Sequence, residues 1–221
     1  MKISVIIPTY NREEHLKNCL SSLLIQTKKP LEILIIDNSH NLYAKKVVNL
    51  FEEQFKLKNI LIYNFKNSIN SGALARNLGA LKAKGDLIAF LDDDVLLDSN
   101  YYEEIEKVFL KYPDALGVHG YNKLINESYQ KMKNSFLESL LDKFMKFFMI
   151  SSYYEEAKSR VLPSLCVTSP IPTSFKSIVQ SQWVSTCAGV FSKRVFPKFH
   201  FDSQFMKYSW NEYLDFSYSI F

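Results

Sequence analysis

Residues 67–95 read NSINSGALARNLGALKAKGDLIAFLDDDV, and the fold turns on this stretch. Small residues over 72–83 predict a closely packed helix. Asp86 to Leu91 predicts a buried strand that ends on three consecutive acids, Asp92, Asp93 and Asp94. Acids placed directly after the deeply apolar Ala89-Phe90-Leu91 are poorly explained as an ordinary surface turn. Upstream, the same alternation recurs. Ile3 to Ile7 is the nearly continuous apolar run expected of a strand covered on both faces. Asn11 reads as a helix cap, with Glu14 three residues on in the manner of a capping box. Leu16, Cys19, Leu20, Leu23 and Leu24 then share one helical face, which Lys28-Lys29-Pro30 brings to an end. Leu31 to Ile36 is a second strand ending at Asp37, followed by a helix around 43–55 and a third strand at Ile60 to Tyr63. Strand and helix alternating over short connections imply an α/β fold, with a mostly parallel central sheet and helices on both faces.

Downstream the pattern is less regular. A helix is expected over 99–110, closed by Tyr112-Pro113. A stronger one begins at Ser135, with Phe136, Leu137, Leu140, Leu141, Phe144, Phe147 and Phe148 opposed by Glu138, Asp142, Lys143 and Lys146. Residues 135–150 are expected first to form a core or lid helix, the alternative being a surface lying on a membrane interface with its lysines at the headgroups. Residues 162–181 read as a long loop, Trp183 to Val190 as a strand, and Trp210 onward as a final helix.

The composition narrows the function. The 221 residues are 47% hydrophobic and 23% charged, which suits one large ordered domain. The net charge of +4 comes from 27 basic residues, of which only 4 are Arg, a poor endowment for reading nucleic acid. Cys19, Cys166 and Cys187 are odd in number and far apart, so neither a disulfide framework nor a zinc spacing is present and a cytoplasmic setting is expected. MKISVIIPTYNR lacks the apolar core of a signal peptide, and no apolar run is long enough to span a bilayer.

The polar residues of interest all follow strands: Pro8-Thr9-Tyr10-Asn11-Arg12 the first, Asp37-Asn38-Ser39 the second, Asp92-Asp93-Asp94 the fourth. In an open parallel sheet those carboxyl ends line one crevice, where ligands bind. Acids converging in a partly dry cleft repel, and Mg²⁺ or Mn²⁺ is the usual counter-charge for carboxylate oxygens. Such a metal would in turn hold a diphosphate. No GxGxxG or Walker-type loop is present to do so.

These motifs resemble family 2 glycosyltransferases of the GT-A fold. The opening VIIPTYNREEHLKNCLSSLLIQTKKPLEILIIDNS is similar to the family's first two strands, and Asn70, Gly72, Arg76, Asn77, Gly79 and the acidic triplet to its next block. The resemblance implies one domain over 1–221, with a nucleotide-sugar-binding half at 1–120 and an acceptor-side half at 121–221. It implies that Pro8, Thr9, Tyr10 and Arg12 border the nucleotide, that Asp37 receives the base N–H, that Asn70 contacts the nucleotide-sugar, and that Gly72 admits close approach. Arg76 would lie beside the diphosphate or brace the acidic loop. Asp92 and Asp93 would meet ribose or sugar, and Asp92 and Asp94 the metal. Ser185 to Phe191, with Gly189, is similar to the segment that relatives place under the donor sugar, and Lys193-Arg194-Val195-Phe196 then Phe201-Asp202 to the stretch before their last helix.

The implied activity is metal-dependent, inverting transfer of a sugar from a UDP-, GDP- or dTDP-sugar to the hydroxyl of a glycan, polysaccharide or lipid-linked acceptor. The implied setting is cytoplasmic, with residues 135–150 available for contact with the inner membrane face. A binding domain without turnover, or a sugar-1-phosphate nucleotidyltransferase, is the alternative; the latter would want a Gly-rich loop where PTYNREEH has no glycine. One departure matters. Where the family carries Glu-Asp, the Asp being the catalytic base, this chain has Glu212-Tyr213 and, two residues on, Asp215. A phenol is a poor base at neutral pH, so Glu212 is expected to take the role, with Asp215 in reserve. The chain ends at Phe221, short of the later strand on which such relatives carry a metal-binding His.

Overall fold

The computed structural model describes residues 1–120, 153–154, 169–170, 178, 180–207 and 212–220. Its central sheet is built from β1 (Ile3–Thr9), β2 (Glu32–Asp37), β3 (Leu61–Lys66), β4 (Leu87–Phe90), β5 (Gly117–Val118) and β8 (Val190–Ser192). The spatial order is β3-β2-β1-β4-β8-β5. The first four strands are parallel; β8 runs antiparallel to both β4 and β5. Helices α1 (Glu13–Leu24), α2 (Tyr43–Lys56), α3 (Gly72–Lys82) and α4 (Tyr101–Lys111) make the crossovers, and α5 (Glu212–Ile220) comes last. This is the alternation expected of the sequence.

Alternating residues of the buried strands feed two cores. Ile3, Val5 and Ile7 pack with Leu16, Leu20, Val47 and Ile105 under α1, α2 and α4. Ile6, Leu34 and Ile36 face the opposite way and meet Ala73, Ala75 and Phe216 under α3 and α5. The small residues of α3 let it lie close on β1, and a Cβ on Gly79 would overlap Ile6 Cγ2. Phe201 stacks on Phe216 with ring centroids 4.1 Å apart and meets Phe90 edge-on at 5.2 Å. Asn77 of α3 holds Phe201 by both backbone groups, donating to its carbonyl at 2.8 Å and accepting its N–H at 2.9 Å. Segments more than a hundred residues apart in the chain thereby come together beneath the carboxyl ends of the strands.

The chain divides into two compact units, one of residues 1–120 and 184–220, the other of 121–183 and 221. Residues 184–220 thus pack with the first unit, since β8 and α5 bring Phe191 and Phe216 into its core. In the second unit β6 (Tyr153–Tyr154) pairs in parallel with β7 (Ser169–Pro170). The expected helix at 135–150, most of the expected loop at 162–181, and Trp210 and Asn211 lie outside the described residues. Among the described residues no helix is long and apolar enough to cross a membrane.

Three local expectations are corrected. Asn11 does not cap α1: it holds a left-handed φ of 54°, and the helix starts after Arg12 without a side-chain cap. Asn is among the few residues that tolerate that backbone. The third strand runs to Lys66, past its apolar stretch, because pairing with β2 continues through Asp37↔Lys66. The strand expected over Trp183 to Val190 is irregular through 184–189 and begins only at Val190. There the Cys187 N–H turns back onto Ser185 Oγ at 3.2 Å, and Gly189 lies against the Ser185 carbonyl too closely for any Cβ.

Candidate functional site

Strand register brings the polar residues into line. Thr9 lies opposite Asp37, and Asp37 opposite Lys66, at the carboxyl ends of β1, β2 and β3. The acidic triplet follows β4, and its first residue is anchored by the Asp92 N–H, which donates to the Cys187 carbonyl at 2.9 Å. Of the nucleotide-side residues expected from sequence, Thr9 and Asp37 are buried, Tyr10 and Arg12 exposed, and Pro8, Asn70 and Asp92 intermediate.

The three acids do different things. Asp93 turns inward: Thr9 Oγ1 donates to its Oδ2 at 2.6 Å, and Arg12 reaches Oδ1 at 3.3 Å. Thr9 Oγ1 also lies 2.5 Å from the Tyr43 hydroxyl, and since Thr9 donates to the carboxylate, Tyr43 donates to Thr9. Burial pushes the Asp93 carboxyl up, against the pull of Thr9 and Arg12. Asp94 is exposed and takes Arg12 at 2.8 Å. Asp92 takes Arg76 Nη2 at 2.7 Å. The Cys187 thiol beside Asp92 is pushed up to about 12 by partial desolvation and by that carboxylate, which keeps it protonated.

Arg76, one turn into α3 and only 7% exposed, is shared. While Nη2 holds Asp92, Nη1 donates to Glu212 Oε1, so one guanidinium ties the acidic loop to the start of α5. Glu212 is 5% exposed and sits against the N-terminus of α3. The Ala73 N–H leans toward its carboxylate short of a well-formed hydrogen bond, and Oε2 is buried with no partner among the described residues. Burial pushes the Glu212 carboxyl up, Arg76 pulls it down, and Asp92 pushes it up again. Gly72 makes room for this cluster: a Cβ there would lie 2.8 Å from Glu212 Oε1 and 2.9 Å from Arg76 Nη1. Asp215 is exposed, one turn farther along α5.

The structure thus brings together Thr9, Arg12, Arg76, Asp92, Asp93, Asp94 and Glu212, and leaves Asp215 outside the cluster. Counted as ionised, four carboxylates face two guanidiniums, a surplus of two negative charges. Sequence reasoning passed over Lys66, which pairs with Asp37 at 2.9 Å, and gave no role to Ser39, which donates its N–H to Asp37 at 2.9 Å. The Lys66 signal is its place one strand over from Asp37, beyond the expected end of that strand at Tyr63.

A family model described as Glycosyl transferase family 2 matches residues 4–167. Glycosyltransferase GlyA of Streptococcus pneumoniae is 30% identical over 127 residues, which is 58% of this chain and 18% of that protein. The GalNAc(5)-diNAcBac-PP-undecaprenol beta-1,3-glucosyltransferase of Campylobacter jejuni is 37% identical over 94 residues, 42% of this chain and 29% of that protein. The chain therefore spans less than a third of the length of either curated relative. Among solved structures, GalNAc-T7 with UDP, GalNAc and Mn2+ superposes with a TM-score of 0.66 at 18% identity, over 99% of this chain and 40% of that one. That likeness concerns the fold, which is of the GT-A type.

Proposed function

Because the chain belongs to glycosyl transferase family 2, we propose that its crevice binds a nucleotide-diphosphate sugar and transfers the sugar, with inversion, to an acceptor hydroxyl. The observation that carries this is the cluster at the carboxyl ends of β1 and β4, where Arg76 joins Asp92 to Glu212 within a surplus of negative charge. A diphosphate cannot enter such a field without a cation.

The residues fit a divalent ion in kind. Asp92 and Asp94 supply hard oxygen donors from one loop. Among the described residues no three His, Cys, Asp or Glu side chains converge into a cage, so an ion there would draw its remaining ligands from water and the substrate phosphates. When bound, Mg²⁺ or Mn²⁺ would supply charge neutralisation at the leaving diphosphate. Asp93, turned inward onto Thr9 and Arg12, serves to hold the loop.

The chain's own groups do the rest. Asp37 receives the base, with Pro8, Thr9 and Tyr10 along the nucleoside. Glu212 Oε2, buried and without a well-formed hydrogen bond among the described residues, takes the acceptor proton as the acceptor oxygen bonds to the anomeric carbon and the bond to the diphosphate breaks. Arg76 fixes that carboxylate through Oε1 and leaves Oε2 for the acceptor. The acceptor class proposed is a glycan or lipid-linked hydroxyl; the Campylobacter relative bears the name of an undecaprenol-linked glycan.

Donor hydrolysis without acceptor tests the proposal. A panel of UDP-, dTDP- and GDP-sugars incubated with Mn²⁺ should release the nucleoside diphosphate from at least one donor, and EDTA should stop the release. Release that ignored EDTA would overturn the metal dependence, and no release or transfer from any donor would reduce the chain to a binding domain.

A further inference from the structure

Resting on the reading of the acidic loop as the seat of a divalent ion, we propose that Tyr43 of α2 is a positioning residue for that ion. Its hydroxyl, acting through Thr9, holds Asp93 inward and leaves Asp92 and Asp94 as the acids the ion meets. Proton count sets the direction of this chain. The Thr9 hydroxyl has one proton and gives it to Asp93 Oδ2 at 2.6 Å. The Tyr43 hydroxyl, 2.5 Å from Thr9 Oγ1, therefore gives its own proton to Thr9. The bonds run one way, from phenol to alcohol to carboxylate, and all three residues are buried. A hydroxyl that is itself receiving a hydrogen bond donates more strongly, so the phenol tightens the grip of Thr9 on Asp93. The Arg12 N–H leans toward the same phenol oxygen, short of a well-formed hydrogen bond. The Arg12 guanidinium reaches the other oxygen of Asp93 at 3.3 Å. Both oxygens of Asp93 are thus held by the loop that Tyr43 seats.

Tyr43 is itself well fixed. Its ring lies in the core with Val5, Leu16 and Val47. Its backbone N–H donates to Asn41 Oδ1 at 3.2 Å, and Asn41 Nδ2 donates to Asn11 Oδ1 at 3.0 Å. The loops after β1 and β2 are joined in this way beside the loop after β4. In that last loop Asp93 and Asp94 are the central residues of a turn, closed by the Val95 N–H on the Asp92 carbonyl at 3.2 Å. Holding Asp93 inward fixes the turn, and with it the direction of the acids on either side.

Titration calorimetry of the full chain with Mn²⁺ and inorganic pyrophosphate, which carries the diphosphate without a nucleoside, tests this. Tyr43→Phe keeps the ring and should weaken binding of Mn²⁺-pyrophosphate about two- to tenfold, the worth of one hydrogen bond. Thr9→Val should weaken it at least as much, and Thr9→Ser, which keeps the hydroxyl, should restore the parent affinity. Adding Tyr43→Phe to Thr9→Val should cost nothing further, because the chain is already cut. A tyrosine that mattered only to packing would cost the same on either background. Parent affinity in Tyr43→Phe, or a full second loss in the double variant, would overturn the role of Tyr43 and leave the ion site standing. If the parent binds no pyrophosphate with Mn²⁺, or binds it as tightly in EDTA, the acidic loop holds no ion and the proposal falls with it.

Discussion

Glu212→Gln is expected to lower sugar transfer by about two to four orders of magnitude, the usual worth of a positioned general base. Donor binding should stay close to that of the parent. The amide keeps the size of the side chain and can still accept from Arg76 Nη1, so the link between α5 and the acidic loop survives. What it cannot do is take a proton. Asp215→Asn, one turn away on the exposed side of α5, should transfer at close to the parent rate. Because burial raises the Glu212 carboxyl and the base acts only when ionised, the rising limb of the rate against pH should lie above the ordinary glutamate range. Glu212→Gln at the parent rate would remove Glu212 from the reaction. A large loss in Asp215→Asn instead would move the base to Asp215.

The second large effect concerns stability. Arg76→Met leaves Asp92 and Glu212 without the cation between them, in a place where Arg76 was 7% and Glu212 5% exposed. Breaking a buried pair by removing one partner costs about 3 to 5 kcal/mol, and denaturant unfolding should show a loss of that order. Arg76→Lys should recover only part of it, since an ammonium lacks the two-armed geometry that now reaches both acids. Adding Glu212→Gln to Arg76→Met should cost less than the sum of the two single changes, because the second removes the carboxylate that the first had stranded. Strict additivity would mean that the two side chains are not coupled.

How much of this was legible in the sequence differs residue by residue. Strands β1, β2 and β4 announced themselves because they are covered on both faces and carry nearly continuous apolar runs. β3 did so only as far as Tyr63, since an edge strand is held by its backbone ladder, and its last residues Asn64, Phe65 and Lys66 carry no continuous apolar run. That shortfall hid Lys66 and with it the donor that stands beside Asp37. The acidic triplet was visible as a group, but the separate tasks of its members were not. Only the register and the reach of Thr9 decide that Asp93 points inward. The pairing of Arg76 with Glu212 joins residues 136 positions apart and depends on how Phe201 and Phe216 seat α5 on α3. No local spacing encodes that. Residue type alone favoured Glu212 over Asp215 for its match to the motif; burial against the N-terminus of α3 is the physical ground for it.

The central claim is that the crevice holds a nucleoside diphosphate through its acidic loop and a divalent ion. The most direct measurement is a titration of UDP, dTDP and GDP into the protein with Mn²⁺, with EDTA, and in Asp94→Asn. The result expected is saturable binding with Mn²⁺, lost with EDTA and no longer metal-dependent in Asp94→Asn. Binding of equal affinity with and without EDTA, or no binding with Mn²⁺ present, would contradict it.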